Sequence, residues 1–143
     1  MHNIAFFQYT NRPLSASDAL VRFGTVEQKN RYLKKLAEGS WAGPFAITES
    51  DAGSDIGMIS TKAVKQPDGS YRITGTKITI TNGDSDLFAN HIYIVCARIE
   101  GAPAGMAGLS LFIVPKFHVK DDGTPGERND YAVSGLDKKM GLN

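Results

Sequence analysis

The 143-residue sequence predicts a mainly β domain, a small antiparallel barrel or sandwich, preceded by a short α-helical segment. Three observations predict it. Apolar spacing over residues 1–40 is helical, and from Trp41 onward it gives way to short runs of strand length. Those runs are rich in β-branched and apolar residues and are separated by turn residues such as Pro67-Asp68-Gly69-Ser70 and Asn82-Gly83. Nothing helical lies between them, as a parallel sheet with crossover helices would require.

Residues 1–40 form the helical part. The first helix is expected over 15–23 and closes at Gly24, because glycine tolerates the left-handed conformation that ends helices. Thr25-Val26-Glu27-Gln28 fits a capping box and opens the second helix. Val26, Leu33, Leu36 and Ala37 supply a partial apolar stripe, Lys29, Arg31, Lys34 and Lys35 cover the solvent side, and Gly39 is the stop.

Residues 41–143 form the β part. A short β-prone run covers 43–48. Runs 59–65 and 71–74 flank the 67–70 turn and make a hairpin. Run 77–81 is β-branched and is broken by Asn82-Gly83. Runs 92–97 and 109–114 are the most apolar, joined by a Gly/Ala/Pro loop over 100–108. The polar stretch 116–130, centred on Asp121-Asp122-Gly123-Thr124-Pro125-Gly126, reads as a surface loop, and 131–134 as a last short strand. The end, from Leu136 to Asn143, has neither a cap nor a polar tail and suggests truncation.

Composition narrows the function classes. Apolar residues make up 41% and charged residues 22%, enough for a buried core and unlike a disordered chain. A net charge of +1 gives no reason to expect nucleic acid or an anionic membrane as partner. No apolar run is long enough to span a bilayer, and the patch Ile4, Ala5, Phe6, Phe7 lacks the basic lead of a signal peptide. The single cysteine, Cys96, cannot form an internal disulfide, which points to a reducing cytoplasm; within a β run it reads as a buried structural thiol. His2, His91 and His118 are far apart, so no metal site is expected.

Two stretches carry the chemistry. In Phe45-Ala46-Ile47-Thr48-Glu49-Ser50-Asp51-Ala52-Gly53-Ser54-Asp55 a strand enters a tight loop whose N–H groups and hydroxyls could hold a phosphate or a heterocycle carbonyl. Taken alone, it is more often an ordinary turn. In Gly75-Thr76-Lys77-Ile78-Thr79-Ile80-Thr81-Asn82-Gly83, alternation puts Lys77, Thr79 and Thr81 on one face and both isoleucines on the other. On spacing alone that is a half-buried strand with Ile inward and Thr outward.

Together these stretches resemble the paired signatures of the acyl-CoA dehydrogenase family, in the family's order and separation. Phe23-Gly24-Thr25-Val26-Glu27-Gln28-Lys29 and Tyr32-Leu33-Lys34-Lys35-Leu36-Ala37-Glu38-Gly39 resemble the helix before its middle domain. Leu109-Ser110-Leu111-Phe112-Ile113-Val114-Pro115 and Lys139-Met140-Gly141 resemble later middle-domain segments. The insertion Ala102-Pro103-Ala104-Gly105 and the run 122–129 look most like the larger bacterial branch that includes the methylmercaptopropionyl-CoA dehydrogenases.

The resemblance implies an antiparallel middle-domain β-barrel, FAD as cofactor, an acyl-CoA substrate, an electron-transferring flavoprotein as partner and a homo-oligomeric parent. It places Phe45, Ile47 and Thr48 along the isoalloxazine ring. Gly53 and Ser54 fall where a turn reaches the pyrophosphate or the thioester's neighbourhood, and Thr81 where a hydroxyl approaches flavin N5. Thr79 departs from the pattern: many members stack Trp or Phe on the flavin there, which Thr cannot do. The family's catalytic glutamate lies in a C-terminal helical domain, so no catalytic residue is expected within this chain, Glu49 included. FAD binding by this chain alone is expected to be weak or absent. Three readings follow: part of an acyl-CoA dehydrogenase, a stand-alone non-catalytic binding module of the same fold, or part of an acyl-CoA oxidase.

Overall fold

The structure, a computed structural model, describes residues 13–137. Ile4 to Phe7, His2, the Lys139-Met140-Gly141 segment and the end at Asn143 lie outside the described residues. Two α-helices come first, α1 (Pro13–Phe23) and α2 (Val26–Ala37). The strands follow: β1 (Trp41–Ala42), β2 (Phe45–Ala46), β3 (Lys62–Lys65), β4 (Tyr71–Thr74), β5 (Asn90–Ile99), β6 (Leu109–Pro115), β7 (Phe117–Val119) and β8 (Pro125–Arg128). Short 3-10 turns cover Ile56–Met58 and Met106–Gly108. The described residues are mainly β with two helices, as expected.

The described residues divide into two compact units. One holds 13–45, 81–93 and 114–137, the other Ala46–Ile80 and Ile94–Ile113.

In the first unit α1 packs against α2, burying Ala16, Leu20 and Leu36. Pro13 opens α1 at the position where a missing N–H costs nothing. Gly24 does end it, for a different reason from the one expected. Its φ is not left-handed; instead its N–H reaches the Leu20 carbonyl at 2.8 Å, and a Cβ would stand 2.6 Å from that oxygen. The α2 capping box forms as read: Gln28 N–H donates to Thr25 Oγ1 at 3.2 Å and Thr25 N–H to Gln28 Oε1 at 2.9 Å. Gly39, with φ +71°, closes α2. The expected stripe is narrower: Leu36 is buried, but Val26 is 75% exposed and Ala37 is exposed.

β1 runs parallel to the start of β5, with Trp41 opposite Asn90 and Ala42 opposite His91. The stretch 116–130 is not a loop, because Phe117 and Val119 pair antiparallel with Arg128 and Pro125. Two asparagines build that ladder. Buried Asn90 donates to the Phe117 carbonyl at 2.8 Å and accepts from Phe117 N–H at 2.9 Å; Asn129 N–H donates to the Lys116 carbonyl at 2.8 Å. The polar run at its centre is the hairpin turn, with Asp122 accepting from Thr124 N–H at 2.9 Å. The expected strand over 131–134 is absent.

In the second unit β3 and β4 form the expected hairpin, Lys62 opposite Thr74 and Lys65 opposite Tyr71, with Gly69 at φ +87° in the turn. β3 also runs parallel to the end of β5, Lys62 opposite Arg98 and Ala63 opposite Ile99. β2 and β6 likewise pair with β5. A core of Ala52, Ile59 and Cys96 is packed by Ile47, Ile56 and Leu109. Cys96 is the buried thiol expected, and burial raises its pKa.

The expected antiparallel barrel is corrected on two points. The pairings of β1 and β3 with β5 are parallel, because strands adjacent in space are separated by long stretches of chain that can carry the return crossing. No barrel closes among the described residues. Run 77–81 joins no ladder: Thr79 (φ 55°) and Asn82 (φ 54°) leave the extended region there.

Candidate functional site

The two signature stretches meet through Glu49, Lys77 and the backbone beside them. Glu49 is 6% exposed. Its Oε2 accepts from Ser60 N–H at 2.8 Å and from Ser60 Oγ at 2.7 Å. Its Oε1 accepts from Thr61 N–H at 3.0 Å, from Thr61 Oγ1, and from Lys77 Nζ at 2.8 Å. Lys77 Nζ also donates to the Ile47 carbonyl at 2.9 Å, and Ile78 N–H donates to the Thr48 carbonyl at 2.9 Å. Burial works against the charge on Glu49. The hydrogen bonds from Lys77, Thr61 and Ser60 outweigh it and hold the carboxyl well below the usual carboxylate range. A carboxylate saturated by donors and this acidic is a poor proton acceptor. Its place in the geometry is to hold residues 47–49 against 77–78.

Gly75 makes the approach possible. A Cβ there would stand 2.3 Å from Thr61 Oγ1 and 2.9 Å from its Cα. The expected strand alternation over 77–81 therefore fails. Lys77, read as outward, is drawn inward to Glu49 with its side chain 10% exposed, whereas Ile78 is 38% exposed.

Of the candidate site residues, Ile47, Thr48, Gly53, Ser54 and Thr79 lie in the second unit. Ile47 and Thr48 are half-buried, and Gly53, Ser54 and Thr79 are exposed. The backbone of Glu49 and Ala52 exchanges two hydrogen bonds, 3.1 and 3.2 Å, which closes the loop just before Gly53. Phe45, on β2, and Thr81 lie in the first unit, both half-buried.

The Thr81 turn has supports that sequence reasoning missed. Tyr93 Oη donates to the Gly83 carbonyl, Tyr131 Oη donates to Tyr93 Oη at 2.9 Å, and Lys116 pairs with Asp84. Burial, then the Tyr131 hydrogen bond, raises the Tyr93 pKa far above the ordinary phenol, so Tyr93 stays a donor. Burial disfavours the Asp84 charge, but Lys116 prevails and holds its pKa below the usual value. His91, 0% exposed, lies stacked 6.1 Å from Tyr93 and edge-on to Phe88. Neither ring nitrogen has a hydrogen-bond partner among the described residues. Burial and then Lys116 push its pKa down to about 4, partly opposed by Asp84. These side chains are scattered through the sequence, and no local pattern marks them.

Among the described residues no group of three His, Cys, Asp or Glu side chains could hold a metal ion, and no helix is long and apolar enough to cross a membrane.

The acyl-CoA dehydrogenase middle-domain family matches residues 44–141. This chain belongs to the acyl-CoA dehydrogenase family. The chain is 50% identical over 125 residues to the broad-specificity linear acyl-CoA dehydrogenase FadE5 of Mycobacterium tuberculosis, covering 86% of this chain and 20% of that protein. It is 45% identical over 127 residues to the 3-methylmercaptopropionyl-CoA dehydrogenase of Ruegeria pomeroyi, covering 89% and 22%. Among solved structures, the FAD complex of PigA superposes with a TM-score of 0.66 at 33% identity, over 78% of this chain and 28% of that one. The chain thus spans about a fifth of the length of these two curated relatives. The donor set of the acyl-CoA dehydrogenase middle domain fits a flavin ring. Lys77 and Glu49 neutralise one another, so the neutral hydroxyls of Thr48, Ser54 and Thr79 and the Gly53 turn suit a polar but uncharged heterocycle.

Proposed function

We propose that the chain is the flavin-ring-facing part of an FAD-dependent acyl-CoA dehydrogenase that forms the α,β double bond of acyl-CoA thioesters. Residues 1–40 belong to its preceding helical domain and 41–143 to its middle domain. Lys77 carries this reading, because its bonds to Ile47 and Glu49 draw both signature stretches into one place. Bound FAD supplies the hydride acceptor. The chain's own residues orient it: Phe45 and Ile47 offer apolar contact, Thr48, Thr79 and Thr81 offer hydroxyls to ring heteroatoms, and the Gly53-Ser54 turn offers backbone N–H groups. The α-proton falls to a base outside this chain, since Glu49 is committed to five donors. A dehydrogenase is favoured over an oxidase because both curated relatives named above are dehydrogenases. Electrons pass onward to an electron-transferring flavoprotein.

Titrating FAD while following backbone amide resonances tests the reading. Shifts should concentrate at Thr48, Ser54, Thr79 and Thr81. Shifts confined to the helices would reject it.

A further inference from the structure

We infer that Arg98 is a positioning residue for the acyl-CoA side of the site, a role that rests on the acyl-CoA dehydrogenase reading above. Its guanidinium fixes the downstream end of the exposed 53–55 turn and locks the 100–108 loop against it. The two then stand as one preformed edge for a CoA thioester.

Arg98 sits near the end of β5, where its N–H donates to the Thr61 carbonyl at 2.9 Å. Its side chain addresses only backbone. Nη1 donates to the Pro103 carbonyl and to the Gly105 carbonyl at 2.8 Å, and Nη2 donates to the Gly57 carbonyl at 3.0 Å. Among the described residues no carboxylate pairs with it. A guanidinium is rigid and planar, with N–H groups in fixed directions, so carbonyls that converge on it are held in a fixed mutual geometry.

The loop is shaped around that group. Gly101 and Gly105 take left-handed φ values of +81° and +72°. At Gly108 a Cβ would lie 1.9 Å from the Pro103 carbonyl oxygen and 2.6 Å from Arg98 Nη1, so only glycine leaves room for the guanidinium. The Gly57 backbone lies against Gly105: a Cβ built on Gly57 would be 3.4 Å from the Gly105 Cα.

The consequence is felt three residues upstream of Gly57. The Glu49–Ala52 bridge pins one end of the turn. Arg98 pins the other, helped by Asp55 Oδ1, which accepts from Gly57 N–H at 3.0 Å. Gly53, Ser54 and Asp55 between them are exposed. A polar turn held at both ends loses little further freedom on binding. Met58, 61% exposed, and Met106, 67% exposed, follow the two pinned glycines and add polarizable apolar surface. Polar turn plus thioether surface suits an amphipathic chain of amides and methylenes, which is the chemistry of a pantetheine thioester.

Amide hydrogen exchange and calorimetric titration with butyryl-CoA on the intact, FAD-loaded protein, its Arg98→Lys form and its Arg98→Gln form test the assignment. Arg98→Gln should speed exchange at Gly57, Met58 and Ala102 by about tenfold or more while leaving the Glu49-held Ser60 and Thr61 amides at the parent rate. It should weaken butyryl-CoA binding by about tenfold, with Arg98→Lys between parent and Gln in both readouts. Exchange that rises uniformly through β5 would make Arg98 a general structural residue and overturn the inference, as would a loosened turn with unchanged butyryl-CoA affinity. A parent protein that binds no butyryl-CoA would instead defeat the acyl-CoA reading and the ligand assigned here; exchange at Gly57 would still decide whether Arg98 pins the turn.

Discussion

The ammonium of Lys77 lies 2.8 Å from Glu49 Oε1, so a single buried ion pair joins two sequence signatures 28 residues apart. Removing one partner strands the other. Lys77→Met should cost roughly 3–5 kcal/mol of unfolding free energy, and pairing it with Glu49→Leu should recover part of that loss. Urea denaturation of both single variants and the double variant gives the coupling. A loss below about 1 kcal/mol for Lys77→Met would show that the pair holds nothing together.

The same carboxylate governs the acid limb. The folded pKa of Glu49 lies below the ordinary carboxyl value of 4.5, so the unfolded chain binds the proton more readily. The stability this group contributes is complete above 4.5 and is lost as pH falls from there through the folded value. Glu49→Gln should therefore flatten the stability curve below pH 4.5 and leave its slope between pH 5 and 8 unchanged.

His91 acts in a separate window. Its folded pKa is about 4 against an ordinary imidazole value of 6.5, so the folded state favours the neutral ring. Its contribution is complete above 6.5 and drains away as pH falls towards 4, by up to about 3 kcal/mol. His91→Phe keeps a ring against Tyr93 and Phe88 and removes the titration. Denaturation midpoints at pH 7 and pH 5 should differ less in the variant than in the parent; an equal gap would mean that His91 is not the titrating group.

Two glycines should respond to the same substitution through different physics. Gly75→Ala drives a methyl into Thr61, which also binds Glu49, and should cost about 2 kcal/mol or more. Gly69→Ala meets open space, and its penalty is only the left-handed φ of +87°, about 1 kcal/mol. Thermal melts that rank them in reverse would contradict the close approach of Gly75 to Thr61.

Tyr93→Phe removes the donor to the Gly83 carbonyl and the acceptor of Tyr131 Oη. It should cost about 1–2 kcal/mol. Amide resonances of residues 81–84 should move, while those of the Glu49 cluster stay in place. Unmoved 81–84 resonances would mean that Tyr93 does not hold the Thr81 turn.

What the sequence determined by itself was local. The Thr25–Gln28 capping box, the Gly39 stop, the hairpin around Gly69 and the apolar strands β5 and β6 depend on residues a few positions apart, and each formed. The spacing of the two signatures was legible in the same way, because a motif is a local pattern. Where a side chain answers to a distant partner, periodicity failed. Alternation puts Lys77 outward on a strand, but Glu49 draws it inward, and Thr79 leaves the extended region within the same run. Residues 116–130 look like a loop in the sequence because no local signal announces that Asn90 will hydrogen-bond Phe117. Arg98 carried no mark at all, since its partners are backbone carbonyls that any residue could present. Buried polar groups must find partners wherever the folded chain brings them, and that requirement, which only tertiary structure resolves, decided the geometry of the site.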